Sequence, residues 1–426
     1  MSKKNGNILA IGICFFLFAM ISFVTGLQNP MGIIVKTQFG ATNAMSQLGT
    51  LANFIAYAFL GLPAGFILKR KGYKFTALTA VAVGFIGVGI SYLSGIAESF
   101  GVYLLGAFVS GFSMCLLNTV VNPMLNNLGG GGNKGNQLIQ LAGSCNSLAA
   151  TIVPIFVGYL IGDAAQASIS DANPALFIAM GIFALAFVIV LFSYIPEPDL
   201  EAAKNSQEKE DGVGSLIKGA LSYKHFVFGI ISIFLYVGIE VGIPNTVNLY
   251  LTTAAENGGI GMATSTAGAL VGFYWLLMLV GRLIGGAIGA KVSSRAMVAT
   301  VSGLALAFLT LGILLPGTEV LFPSVTSELS FELVNVPLGV VFFILCGLCT
   351  SVMWGAIFNL AVEGLGKYTS IASGLFMVMV CGGGVLPFLQ GLVADASGFI
   401  PSFWVLVAAV AFILWYALLG SKVKRS

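Results

Sequence analysis

Residues 196–224 read PEPDLEAAKNSQEKEDGVGSLIKGALSYK. This segment mixes charges of both signs and is the longest polar stretch of the chain. Around it, 426 residues are 58% hydrophobic and only 8% charged. A soluble domain carries about 25% charged residues, so a soluble enzyme is excluded. Disorder is excluded too, because 33 Phe and 12 Tyr are far too many apolar rings. The polar stretch is therefore read as a linker between two membrane-embedded halves.

A bilayer is crossed by a helix of about 20 apolar residues. Six such runs precede the linker, near 8–35, 45–68, 75–96, 100–127, 137–161 and 174–195. Six follow it, near 225–252, 265–289, 295–316, 335–361, 369–394 and 399–420. The first run is too long for the apolar core of a signal peptide and is read as a retained helix. The expectation is an all-α membrane protein with a six-helix bundle over 1–195, a cytoplasmic linker over 196–224 and a second bundle over 225–426.

Basic residues orient the spans. Of the 19 Lys and Arg, all but Lys36 and Arg282 fall on the side that holds both termini. The opposite loops carry Glu98, Asp163, Asp171, Glu256, Glu319, Glu328, Glu332 and Asp395. Both termini are expected in the cytoplasm, and the chain is expected to be multi-pass in the inner (plasma) membrane.

The halves resemble each other. The fifth span holds Pro154, Gly158 and Asp163, and the eleventh holds Pro387, Gly391 and Asp395, with the Pro-to-Gly spacing shared. Such duplication accompanies transporters with a site at the bilayer midplane. Small-residue steps such as Gly61/Gly65 and Gly281/Gly285 let helix backbones approach closely. Prolines at 30, 63, 123, 154, 244 and 387 are candidate kinks. The Gly-rich stretch LGGGGNKGN (128–136) lacks the Lys-Ser/Thr pair of a phosphate loop and reads as a turn. All six Cys lie in apolar runs, so no disulfide framework is expected. With one His and no nucleophile–base pair in view, neither a metal, a cofactor nor an enzyme is expected, and no nucleic-acid partner.

Polar side chains inside the spans are the candidate site, because each must be satisfied away from water. Amides dominate: Gln28 and Asn29 in the first span, Asn118 and Asn122 on one face of the fourth, Asn146 in the fifth, Asn245 and Asn248 in the seventh, Asn359 in the tenth and Gln390 in the eleventh. An amide offers two donors and an acceptor, which matches the adjacent hydroxyls of a sugar. Tyr57, Tyr236, Tyr274, Trp275 and Trp354 are rings able to stack on a pyranose. Two charges lie deep. Glu240 is about 24 Å into the seventh span at ~1.5 Å per residue, where it could exchange a proton. Arg282, in the eighth span, is its candidate partner. The expected partners are a monosaccharide, the lipid bilayer and a proton or sodium ion, with the protein a monomer. An uncoupled facilitator and a carrier of another neutral solute, such as a nucleoside or polyol, remain open; a non-transporting sugar sensor is the remote alternative.

Several strings resemble the fucose:proton symporter family of the major facilitator superfamily, in its glucose/galactose transporter branch. They are NPM (29–31), NTVVNP (118–123), CNS (145–147), IFLYVGIEVGIP (233–244), FYWLLMLVGRLIG (273–285), FNLAVEGLGKYTS (358–370) and GGGVLPFLQGLVAD (382–395). The resemblance implies two six-helix bundles, a central cavity lined by the first, fourth, seventh and tenth spans, and a hexose site used by alternating access. It also implies a departure. Where the fucose branch carries acids implicated in proton coupling and sugar binding, this chain has Asn29 and Asn118; the helix-five amide is kept as Asn146.

Overall fold

A computed structural model describes residues 3–129, 132–162, 166–197, 213–288, 292–315, 317–325 and 330–423. The described residues form twelve helical spans. In the first half these are α1 (Lys3–Gly26, continuing after Leu27 as Gln28–Gln38), α2 and α3 (48–71 and 73–96), α4 (Phe100–Leu128), α5 (Gly132–Ile161) and α6 (Asn173–Phe192). In the second half they are α7 (Lys224–Thr252), α8 (Thr264–Ile288), α9 (Ser294–Leu314) and α10 (Leu338–Thr350 with Met353–Val362). They continue with α11 (Thr369–Val378, a 3-10 turn, then Gly382–Ser397) and α12 (Phe399–Ser402 and Trp404–Trp415). A short helix, Asn43–Ser46, leads into α2.

Within each half the spans pack on one another: α1 on α4 and α5, α2 and α3 on α4, α7 on α10, α11 and α12, and α8 on α10. The halves meet along two long seams, α5 against α8 and α2 against α11. Even span counts put both chain termini at one end, called here the terminal end. The opposite, far end holds the start of α2 and the ends of α1, α7 and α11.

Not every span is apolar throughout. The start of α5 carries Asn, Lys and Gln, and its apolar stretch is Leu141–Val153. The α2–α3 boundary is a tight corner rather than a loop. Gly72 has φ 85° and ψ 177°, a region open to glycine and strained for other residues. The corner is held by Glu197 beyond α6. Its carboxylate accepts the backbone N–H of Tyr73 at 2.6 Å and of Lys74 at 2.8 Å, satisfying two amides that the start of α3 leaves without helical partners.

Of the prolines expected to kink helices, those at 63, 123, 244 and 387 stand inside continuous helices, whereas Pro30 lies in the first turn after the break of α1 at Leu27. The bend of 43° in α10 comes instead between Thr350 and Met353, where there is no proline. There the Thr350 hydroxyl bonds the carbonyls of Cys346 and Gly347, and Ser351 Oγ donates to Leu348 O at 2.6 Å. Hydroxyls that bond preceding carbonyls bend helices. Gly281 and Gly285 of α8 lie against Ser351 and Val352, so the small-residue step receives the bend.

Two further elements depart from the sequence reading. Val213–Leu221, inside the expected polar linker, is a helix whose Gly219 lies against the Tyr368 ring. The acidic stretch before α10 is an antiparallel hairpin, β1 (Glu319–Val325) with β2 (Phe331–Pro337). It is anchored to α8 by Phe322, edge-on to Phe273 at 5.3 Å, and by Ser324 Oγ, which donates to Thr266 O at 3.3 Å.

Replacing Gly72 by Ala is expected to destabilise the protein by about 1–3 kcal/mol through backbone strain alone. Thermal unfolding in detergent, with Gly65→Ala as control, checks this; Gly65 has open space where a Cβ would sit. The Gly65 variant should unfold with the wild type.

Candidate functional site

The deep charges meet. Arg282 Nη2 lies 3.5 Å from Glu240 Oε1, with the two side chains 13% and 15% exposed. Arg282 does more than pair. Its Nη1 donates to Gly143 O at 2.7 Å and to Ser147 Oγ at 2.6 Å, both on α5. One guanidinium thus ties α7 and α8 of the second half to α5 of the first. The planar fork of arginine makes this three-way grip possible; a lysine has one donor centre. Tyr236, one turn before Glu240, lies within electrostatic reach of both charges.

The amides divide into groups. In the first half each holds a neighbour with its nitrogen. Asn118 Nδ2 donates to Tyr57 Oη at 2.9 Å and to Met114 O at 3.1 Å. Asn122 Nδ2 donates to Asn118 O at 3.0 Å, and Asn146 Nδ2 to Phe18 O of α1 at 3.0 Å. All three are half-buried, and their side-chain oxygens accept no hydrogen bond among the described residues. What they leave available is a set of acceptors, suited to a ligand that donates hydroxyl protons.

In the second half, Asn245 is 7% exposed and points across the interface. Its Nδ2 donates to Gln47 Oε1 at 3.1 Å and to Thr50 Oγ1 at 3.3 Å, both at the start of α2. Asn248 is 4% exposed, and its Oδ1 has no partner among the described residues. Gln390 is fully buried and neither of its amide atoms is bonded there; its Oε1 lies against Gly242 of α7. Asn359 is exposed near the terminal end of α10. Gln28 and Asn29 stand at the restart of α1, with their side chains outside the described residues, as is Asp163.

The candidate rings separate as well. Tyr57, Tyr236 and Tyr274 are buried, and Tyr274 Oη shares a hydrogen bond of 3.0 Å with Thr350 Oγ1 that holds α8 to α10. Trp275 and Trp354 are half-buried. Trp275 stands edge-on to Tyr274 at 5.2 Å, and Trp354 lies 6.2 Å from Tyr236 and 5.9 Å from Phe376.

The far end is closed by polar contacts that the sequence reading did not assemble. Lys36 Nζ donates to Asn43 Oδ1 at 2.6 Å and, across the interface, to Thr253 Oγ1 at 2.9 Å. The same ammonium lies 5.4 Å from the Phe399 ring centre. The Asp395 carboxylate accepts the backbone N–H of Asn43 at 2.7 Å and of Ala44 at 2.9 Å. Lys36 entered the sequence reading only as the one basic residue of the far side, and Asp395 as a loop acid and a member of the repeat in the eleventh span. The signal available for Gln47 and Thr50 was their i, i+3 spacing at the start of an apolar run.

Comparison with known proteins agrees with this architecture. The family description "Major Facilitator Superfamily" matches residues 11–387. The chain is 30% identical over 425 residues to a glucose/galactose transporter of Brucella abortus biovar 1 (strain 9-941), covering 99% of this chain and 96% of that one. It is 22% identical over 428 residues to an L-fucose-proton symporter of Escherichia coli K12, covering 94% and 91%. The fold is similar to that of FucP, a major facilitator transporter solved in the outward conformation, with TM-score 0.69 and 18% identity over 97% of this chain and 98% of that one.

Removing the Arg282 side chain leaves Glu240 without its counter-charge, which is worse than removing both. Arg282→Met is therefore expected to lower thermal stability in detergent by about 2 kcal/mol more than Arg282→Met with Glu240→Gln. Equal losses would show that the pair is not coupled.

The two matched halves, the interface between them and the match over most of its length place this chain in the major facilitator superfamily: it is a multi-pass membrane transporter, not an enzyme.

Proposed function

We propose that the chain carries a monosaccharide, such as glucose, galactose or fucose, across the inner membrane by alternating access. The observation that carries this reading is the set of half-buried side-chain oxygens of Asn118, Asn122 and Asn146, whose nitrogens are already engaged with protein partners. Acceptors held in place without reorganisation suit a neutral polyol, and they repel an anion. Half-buried Trp275 and Trp354 are the candidate stacking faces, with Asn359 and the amides at 28 and 29 completing the set. The names carried by the relatives in Brucella abortus and Escherichia coli support the same substrate class.

Coupling to a proton is assigned to Glu240. While it is ionised, Glu240 holds Arg282, and Arg282 holds α5 through Gly143 and Ser147. Protonation removes the counter-charge and leaves Arg282 with its α5 acceptors alone, which changes the balance of contacts between the halves. An ion shifts a two-state equilibrium only by its differential affinity for the states, and this contact supplies such a difference. The bundles are taken as 1–195 and 225–426, joined by 196–224, with both termini cytoplasmic and the far end outside. The unit is a monomer.

Purified protein in liposomes should take up labelled glucose, galactose or fucose, and an inward proton gradient should drive accumulation above equilibrium. A sodium gradient that drives it instead would reassign the ion; uptake indifferent to both would make the protein an uncoupled facilitator. Asn118→Ala and Asn146→Ala should each weaken apparent sugar affinity about tenfold, the loss of one hydrogen bond. Glu240→Gln should abolish gradient-driven accumulation while leaving sugar exchange. Loss of exchange as well would move Glu240 out of the coupling role.

A further inference from the structure

The closed far end carries an unusual amount of polar chemistry for a helix interface in lipid. Gln47, Thr50 and Asn245 are 4%, 3% and 7% exposed, and they bond one another across the two halves. One turn farther along α7, the buried Oδ1 of Asn248 accepts nothing among the described residues. Beyond that stand Thr253, Lys36 and Asn43. On the neighbouring α2–α11 seam a small residue makes the close approach instead: a Cβ at Gly61 would come within 2.8 Å of Val378 N.

A permanent seam has no need of amides. Buried polar groups cost free energy unless paired, and an apolar contact between the same helices would do as well in lipid. Amides become favourable when the surfaces must also exist apart and wet. A hydrogen bond exchanged for bonds to water loses only about 0.5–1.5 kcal/mol, so such a seam opens at modest cost. When it opens, Gln47, Thr50 and Asn245 give up their mutual bonds and present an amide, a hydroxyl and a second amide to the water that enters between the halves. Those are the groups that recognise adjacent hydroxyls of a polyol.

We propose that Gln47, Thr50, Asn245 and Asn248 form a hydroxyl-binding subsite, used only when the far end is open, in which the sugar and the closed gate compete for the same amides. The proposal rests on the monosaccharide reading above and adds to it a side-specific contact from α2. It makes closure report on occupancy: the seam re-forms once the sugar has released these groups and moved inward to the acceptors of α4 and α5.

Two readings of Gln47 and Thr50 predict opposite signs. If they only tie the gate, breaking the tie enlarges the far-open population, and apparent affinity from that side improves by that factor. If they also bind sugar, each variant loses both donor and acceptor to the sugar against a single long bond in the gate, at 3.1 and 3.3 Å, so apparent affinity from that side worsens. The test is initial-rate hexose uptake in right-side-out and inside-out vesicles for wild type, Gln47→Met and Thr50→Val, which keep side-chain volume. The expected result is KM at the outer face raised about tenfold in each variant, with KM at the inner face unchanged. An outer-face KM that falls or stays put overturns the proposal. So does an equal rise at both faces. If Gln47→Met is inactive from both sides, Thr50→Val decides by the same criteria. Wild-type vesicles that carry no hexose would refute the monosaccharide reading itself, and the subsite with it; wild-type transport with unshifted variants refutes the subsite alone.

Discussion

The Arg282 guanidinium, 13% exposed among apolar helices, has to be satisfied by protein atoms. A charge in that setting is expensive unless it is paired and hydrogen-bonded. What satisfies it is divided between the halves: Glu240 on its own side, Gly143 O and Ser147 Oγ on the other. No rigid displacement of one bundle against the other leaves all three contacts in place. Any change of state therefore has to be balanced here, by water, by a proton on Glu240 or by new partners. That makes a single side chain the point where ion binding and bundle movement meet.

The rest of the interface follows the same physics. At the far end, Lys36, Asp395, Asn245, Gln47 and Thr50 supply hydrogen bonds between the halves. Each such bond is worth about 0.5–1.5 kcal/mol net of water. A handful gives a closure of a few kcal/mol, firm enough to populate one state and weak enough for a solute or ion to reverse. The close glycine contact with Val378 keeps the helices in register without adding a polar group that would need satisfying.

Much of this was legible in the sequence, for identifiable reasons. The twelve spans and the linker follow from hydropathy, which depends only on local composition. The Glu240–Arg282 pair was legible because two deep charges of opposite sign have few other choices. The α5 partners of Arg282 were not, since Gly143 and Ser147 lie 139 and 135 residues away and belong to the other bundle. Gln47 and Thr50 escaped for the same reason: a polar residue near a helix start reads as a loop boundary until its partner on α7 is known. The bend in α10 was hidden because it falls at hydroxyls that bond preceding carbonyls and not at a proline. The hairpin over Glu319–Val325 and Phe331–Pro337 was hidden by its glutamates and by a β1 run that does not alternate cleanly.

The central claim is that the two bundles part and rejoin about this polar interface. Spin labels on a cysteine pair at exposed far-end positions, Ala97 and Glu256, and on a second pair at the terminal end, Lys71 and Lys422, report both gaps by pulsed electron resonance. With Glu240 and Arg282 intact, lowering the pH or adding hexose should shift population between a short and a long far-end distance, and the terminal-end distance should change in the opposite sense. A single, unchanging distance at both ends under every condition would contradict the account.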